Sequence, residues 1–406
     1  MLRTDLKNYI PALTGVRALA AYLVFISHFS YIFDAEFPHF IRRFFTEFHI
    51  GVTIFFVLSG FLIAFRYYDS FQLNSNWFKQ YLKNRVARIY PMYFLLTAGA
   101  FIYYFFTREP SIVLKFPSAV GLFFMHITFV RGFFYDLNFT GIAQGWSLTV
   151  EECFYFSAPI VFFIAKRYNK FYLQILAITG FGVAMVLIFR NVDWYGFFGN
   201  FTFMMLYTYF GRCFEFFVGI KLALFVRKNG LERLRKINCT YTGFIMIFVC
   251  VGIMSTLAIP RGWSAGLHNP FGINTNNYLL PICIATFFYG LITEESRMKK
   301  VLANPFVELL GKSSYIFYLI HLGYMHTMIL NTFNSLNEWV FALYDKWGLY
   351  DKWNIDWISP FQFDSLNLLY AFIVLNCISI LLFKFIEEPL NHYIRKSNFL
   401  ISKPTT

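Results

Sequence analysis

Along the chain, runs of about twenty mostly apolar residues alternate with shorter polar segments. The runs fall at roughly 14–33, 48–67, 86–106, 149–165, 171–190, 204–226, 241–258, 278–293, 313–332 and 366–386. Each is close to the length that crosses a ~30 Å hydrocarbon layer at ~1.5 Å per helical residue. The stretch Ala119–Val130 is apolar too, but at about a dozen residues it suits an interfacial or re-entrant segment better than a span. The pattern predicts an all-α, polytopic transmembrane helical bundle of about ten spans plus that short segment. It would occupy residues 1–396, with a short cytoplasmic tail over 397–406.

Composition agrees. With 58% hydrophobic and 14% charged residues, the chain is neither a soluble globular domain nor a disordered one. Its 56 Phe and 27 Tyr suit hydrocarbon and headgroup contact. The net charge of +13 raises the question of a nucleic-acid partner, and the placement of the basic residues answers it. With Ala119–Val130 left uncrossed and the N-terminus inside, twenty-three of the 35 Lys and Arg fall on the cytoplasmic side, in clusters such as Lys79 to Arg88 and Arg227 to Lys236. Nine fall outside, among them Arg42, Arg108, Arg131 and Lys352. Crossing the short stretch would flip every later cluster outward, so both termini are expected in the cytoplasm. Topology accounts for the basic charge, and no nucleic acid is expected.

The first apolar run outlasts a signal-peptide core and is expected to be retained. The six cysteines show no CxxC spacing and read as small buried hydrophobes. No repeat, low-complexity tract or appended soluble domain is read. An outer loop over 333–365 holds Trp339, Trp347, Trp353 and Trp357, suited either to stacking on sugar rings or to an interfacial belt.

Ionisable residues inside spans are costly and therefore candidates for function. Arg17 and His28 lie eleven residues apart in the first span, about three turns, so they share a face ~16 Å apart. Arg17 is expected near the cytoplasmic surface and His28 near mid-membrane, where an imidazole suits general-base work. Arg85 and Arg88 are i,i+3 neighbours at the inner end of the third span, a spacing that can clamp phosphates as well as anchor the helix. Trp146-Ser147-Leu-Thr-Val-Glu151-Glu152 opens the fourth span from the outside. Its carboxylates need partners or a hydrated cavity, and they could also serve the helix N-terminus. Arg212 and Glu215 read as an intramembrane pair. His321 and His326, five apart, share no face, so a metal site there is not expected. Ser59 and Gly60 read as small residues for close helix approach.

Together these motifs resemble the acyltransferase family 3 membrane proteins. The resemblance is carried by Arg17-x10-His28, by Gly51-Val-Thr-Ile-Phe-Phe-Val-Leu-Ser-Gly60-Phe-Leu-Ile63 and by Arg85-x-x-Arg88-Ile-Tyr-Pro91. Trp146-Ser-Leu-Thr-Val-Glu-Glu152, Tyr315-Ile-Phe-Tyr-Leu-Ile-His321 and Glu387-Glu-Pro389 complete it, in the family's order and over nearly the whole chain. It implies transfer of an acyl group, usually acetyl, from cytoplasmic acyl-CoA to a hydroxyl of an extracytoplasmic carbohydrate, such as O-antigen, capsule or another surface polysaccharide. No resident cofactor is implied, and acetyl-CoA is the donor substrate. The setting would be a plasma (inner) membrane, with membrane lipids as the other partners. Carried over, His28 is the catalytic histidine, Arg17 its partner, and Arg85 with Arg88 hold the donor's phosphates. Glu151 is placed near the acceptor end, with Trp146, Ser147 and Glu152 as acceptor contacts. Thr53 departs from the acidic residue common in the family, and Cys153 from its glutamine. Both direct transfer and an acyl-histidine intermediate fit the residues. The other readings are an acyl-relay protein serving a separate transferase, and a transporter or flippase of a lipid-linked glycan.

Overall fold

The computed structural model describes residues 9–34, 38–107, 118–229, 238–348 and 359–397. In order, the helices are α1 (Pro11–His28), α2 (His39–Thr46), α3 (Gly51–Tyr67), α4 (Ser75–Thr107), α5 (Ala119–Ile127) and α6 (Trp146–Tyr168). They continue with α7 (Phe171–Phe189), α8 (Phe201–Tyr207), α9 (Tyr209–Asn229), α10 (Cys239–Thr256), α11 (Pro270–Asn274) and α12 (Leu280–Thr293). The last are α13 (Arg297–Leu302), α14 (Pro305–Ile320), α15 (Tyr324–Lys346), α16 (Asp364–Leu382) and α17 (Glu388–Lys396). Among the described residues there is no strand, only one isolated bridge between Phe134 and Phe197.

Eight helical stretches among the described residues are long and apolar enough to cross a membrane. The chain is a multi-pass helical membrane protein. The two expected spans outside that set are both broken. Residues 204–226 divide at Thr208, whose backbone is extended, and α9 carries Arg212, Glu215 and Lys221. Residues 313–332 divide between Ile320 and Tyr324, where Gly323 takes a φ of +76° that side chains disfavour. The nine-residue α5 is too short to cross.

Local sequence sets the helix ends. Pro11 and Pro305 occupy first-turn positions, where a missing N–H costs nothing. Side chains of Ser118, Asn200 and Asn304 cap α5, α8 and α14 by accepting backbone N–H groups. The first span ends earlier than expected: α1 stops at His28 and Ser30–Asp34 form a 3₁₀ turn, so His28 is the last helical residue rather than a mid-span one. Much of the expected outer loop is helix, since α15 runs to Lys346. Trp339 and Trp347 are exposed there, whereas Trp353, Trp357 and the 398–406 tail lie outside the described residues.

The centre of the bundle is α3, packed most extensively on α9. The two helices approach so closely that a Cβ at Gly60 would strike the Phe216 backbone, and one at Gly219 the Val57 carbonyl. Helices α1 and α14 run side by side in the same direction: Gly311 abuts the Thr14 carbonyl near their starts, and His28 meets His321 at their ends. Of the cysteines, Cys213, Cys239, Cys250 and Cys283 are buried and Cys377 is exposed.

Candidate active site

At the end of the bundle where α1 and α14 begin lies a pocket of about 450 Å³. It is walled by the start of α1 (Tyr9 to Arg17), the end of α3 (Leu62 to Arg66), Arg85 and Arg88 of α4, Gly311 and Lys312 of α14, and Glu387 to Arg395. Cations dominate: Arg17, Arg66, Arg85, Arg88, Lys312 and Arg395 face only Glu387 and Glu388. The helical i,i+3 spacing brings Arg85 and Arg88 to the same wall.

The two arginines are held differently. Arg88 donates from Nη1 to Glu387 Oε1 at 3.0 Å. Arg85 has no such carboxylate bond; its Nη2 donates to the Tyr67 hydroxyl at 3.2 Å, and its guanidinium lies over the Tyr67 and Tyr155 rings at 5.4 and 5.6 Å. Both Arg17 and Arg85 keep a buried Nε without a hydrogen-bond partner among the described residues. Partly buried guanidiniums with unused donors around a cavity are a natural receptor for a multiply charged anion. Lys83, grouped with them in the sequence, points elsewhere: it is buried and donates to the Ser397 carbonyl, tying α4 to the end of α17.

Glu151 and Glu152 lie deeper in α6 than the mouth at Trp146. Ser59 donates to Glu151 at 2.5 Å and contacts the Tyr155 hydroxyl at 3.3 Å. The electrostatic neighbours of Glu151 include Arg17 and Arg88, and those of Glu152 are Glu151 and Arg85. Both carboxylates therefore stand on the arginine side of the bundle, away from the expected acceptor end. Ser59 is a polar contact here, while its neighbour Gly60 supplies the close approach.

The opposite end holds the histidines. His28 is exposed and its Nδ1 lies 3.0 Å from Nε2 of His321, which is wholly buried. His321 sits among Phe25, Phe317 and Tyr318. Tyr318 in turn shares a 2.9 Å hydrogen bond with Ser147. Next to Ser147, Trp146 meets the Tyr207 ring edge-on at 4.9 Å. Tyr207 bonds His268 Nε2 at 3.2 Å, and His268 stacks on Trp263 at 3.8 Å. Burial pushes the His268 imidazole down to about 4, so it is neutral near pH 7. With Nδ1 facing the Ala265 carbonyl, its Nε2 is the acceptor and the tyrosine donates. Trp146 and Ser147 thus belong to an aromatic and hydroxyl-bearing surface that runs to the histidine pair.

The structure brings together Arg17, Arg85 and Arg88 at one end, and His28, Ser147 and Trp146 towards the other. It also gives contacts here to residues that the sequence assigned no role in the site: His321, Glu387, Tyr67 and Tyr155. Thr53 takes part in a buried network, donating to Asn276 at 3.0 Å and accepting from Arg212 at 3.0 Å. Arg212 pairs with Glu215 at 2.6 Å. Among the described residues, no group of three or more His, Cys, Asp or Glu could hold a metal ion.

A cationic pocket and a histidine lie towards opposite ends of one membrane helix, and comparison with known proteins gives the family. The family described as "Acyltransferase domain" matches residues 10–383, and the chain belongs to this acyltransferase family 3. A Staphylococcus aureus (strain COL) protein named "Putative O-acetyltransferase" is 24% identical over 338 residues, covering 77% of this chain and 50% of its own. Acyltransferase MdmB of Streptomyces mycarofaciens is 25% identical over 169 residues, covering 39% of this chain and 40% of its own. The chain spans about half the length of the Staphylococcus aureus relatives it matches. No solved structure matches.

Proposed function

We propose that this protein is an O-acyltransferase that moves an acetyl group from cytoplasmic acetyl-CoA to a hydroxyl of a carbohydrate on the far side of a plasma (inner) membrane. The observation that carries this reading is α1 itself: Arg17 lines the cationic pocket, and His28 stands eleven residues on, ~16 Å along the helix. The pocket suits the phosphates of a coenzyme A, which are too charged to enter hydrocarbon. Its thin pantetheine arm would extend along α1 towards His28.

In this scheme His28 Nε2 takes the proton of the acceptor hydroxyl as its oxygen bonds to the thioester carbonyl carbon. Collapse of the tetrahedral adduct breaks the C–S bond, and the thiolate recovers the proton from His28. The acetyl ester and free coenzyme A result. A ring-bearing acceptor is favoured by the surface of Trp146, Tyr207 and Trp263 beyond the histidines, since sugars stack on such faces. Charge supports this orientation: Tyr9 and Arg395 line the same basic pocket, and basic residues favour the cytoplasmic side of a membrane protein.

The test compares wild type with His28→Ala and with Arg85→Ala/Arg88→Ala in cells holding equal amounts of protein. Base-labile acetyl esters on surface glycans are quantified by mass spectrometry. Loss of ester in both variants with glycan abundance unchanged supports acyl transfer through this site. Full acetylation without His28 overturns the mechanism, and less glycan at the surface points to transport.

A further inference from the structure

Resting on the assignment of His28 as the base, we infer that His321 is its positioning residue: it fixes the His28 tautomer so that Nε2 presents its lone pair to the acceptor hydroxyl.

The inference follows from which groups can donate. His321 Nδ1 lies 3.3 Å from the Phe317 carbonyl oxygen, which accepts and never donates. Nδ1 of His321 therefore carries a hydrogen, and in the neutral ring Nε2 is left as an acceptor. That Nε2 is the atom 3.0 Å from His28 Nδ1, so His28 donates from Nδ1. A neutral His28 then has its lone pair on Nε2, which meets no hydrogen-bonding partner among the described residues and belongs to an exposed residue. When Nε2 takes a proton, the imidazolium keeps its Nδ1–H bond to His321 and, through it, to the Phe317 carbonyl. The arrangement parallels a base whose far nitrogen is held by a buried orienting group, with a neutral imidazole in the carboxylate's place.

Packing supports this assignment. His321 is wholly buried, and Phe25, Phe317 and Tyr318 flank its ring, so its orientation is set before any substrate arrives. His28 closes α1 and, among the described residues, its ring meets only that of His321, at 5.2 Å.

The test uses the full chain in lipid nanodiscs with acetyl-CoA, comparing His321→Gln with His321→Met. Glutamine can accept from His28 and donate to Phe317, whereas methionine fills similar space with no strong acceptor. The expected result is a kcat lowered about a hundredfold in the Met variant, the scale of general-base catalysis. The Gln variant should recover most of that loss, with the KM for acetyl-CoA unchanged in both. Nitrogen NMR of histidine-labelled protein should show His28, assigned by its loss in His28→Ala, protonated at Nδ1 in wild type. Equal activities of the Met and Gln variants, or a His28 protonated at Nε2, overturn the inference. A fully active His28→Ala is a different failure, since it removes the base itself. Acetyl-CoA affinity, which depends on the distant arginine pocket, reports whether each variant is folded.

Discussion

Arg88 and Glu387 meet at 3.0 Å across 299 residues of sequence, joining α4 to the turn that opens α17. Glu387 is buried at 2% exposure, while the Arg88 side chain retains 25%. Removing the carboxylate leaves the guanidinium facing other cations in the pocket. For Glu387→Ala we expect a loss of ~1–3 kcal/mol, below the ~3–5 typical of a fully buried broken pair because Arg88 stays partly solvated. Glu387→Gln keeps an acceptor and should fall between Ala and wild type. Thermal unfolding in detergent reads the order, and an Ala variant as stable as wild type would show the pair adds nothing to the fold.

Lysine should replace Arg85 only in part. Its guanidinium is both a donor to Tyr67 and a planar group over two aromatic rings; an ammonium could donate to Tyr67 but cannot reproduce the planar stacking. We expect Arg85→Lys to weaken acetyl-CoA binding about tenfold, the equivalent of ~1.4 kcal/mol, and Arg85→Ala to weaken it further. Calorimetric titration with acetyl-CoA measures both. Lysine binding as tightly as arginine would reduce the site to a point charge.

These sites differ in how far they could be read from sequence. The bundle was legible because each span is a local run, and Arg85 and Arg88 were legible because i,i+3 spacing is local. Arg17 and His28 sit on one helix, so their separation followed from helical geometry alone. Their partners did not: His321 lies 293 residues from His28, and nothing in its own neighbourhood distinguishes an orienting histidine from a packed one. The breaks at Thr208 and near Gly323 were hidden for a related reason, since both interrupt runs that remain apolar. The depth of Glu151 and Glu152 was not legible, since it depends on α6 beginning at Trp146 and carrying them along by more than a turn.

The loop before α6 hangs on one residue. Arg131 is wholly buried and donates to the carbonyls of Leu137, Asn138 and Ile142. Arg131→Met would orphan all three acceptors at ~1–3 kcal/mol each when buried. We expect the loop over 130–145 to lose hydrogen-exchange protection while the arginine pocket still binds acetyl-CoA. Unchanged exchange across that loop would mean the carbonyls find other donors.

The aromatic surface beyond the histidines yields the sharpest division of labour. Trp146 and Tyr207 touch edge-to-face at 4.9 Å, and Tyr207 is fixed by its bond to His268. Neither residue lines the arginine pocket. If this surface seats the acceptor, Trp146→Ala and Tyr207→Ala should raise the acceptor KM about tenfold, and leave acetyl-CoA affinity as in wild type. Tyr207→Phe separates stacking from hydrogen bonding: it keeps the ring beside Trp146 but leaves His268 Nε2 without its donor. A KM close to wild type in Tyr207→Phe, with a raised KM in Tyr207→Ala, would assign the effect to the ring face. Steady-state kinetics with a purified glycan acceptor decide the matter. Variants that lower acetyl-CoA affinity as much as acceptor affinity would show instead that this surface supports the whole bundle.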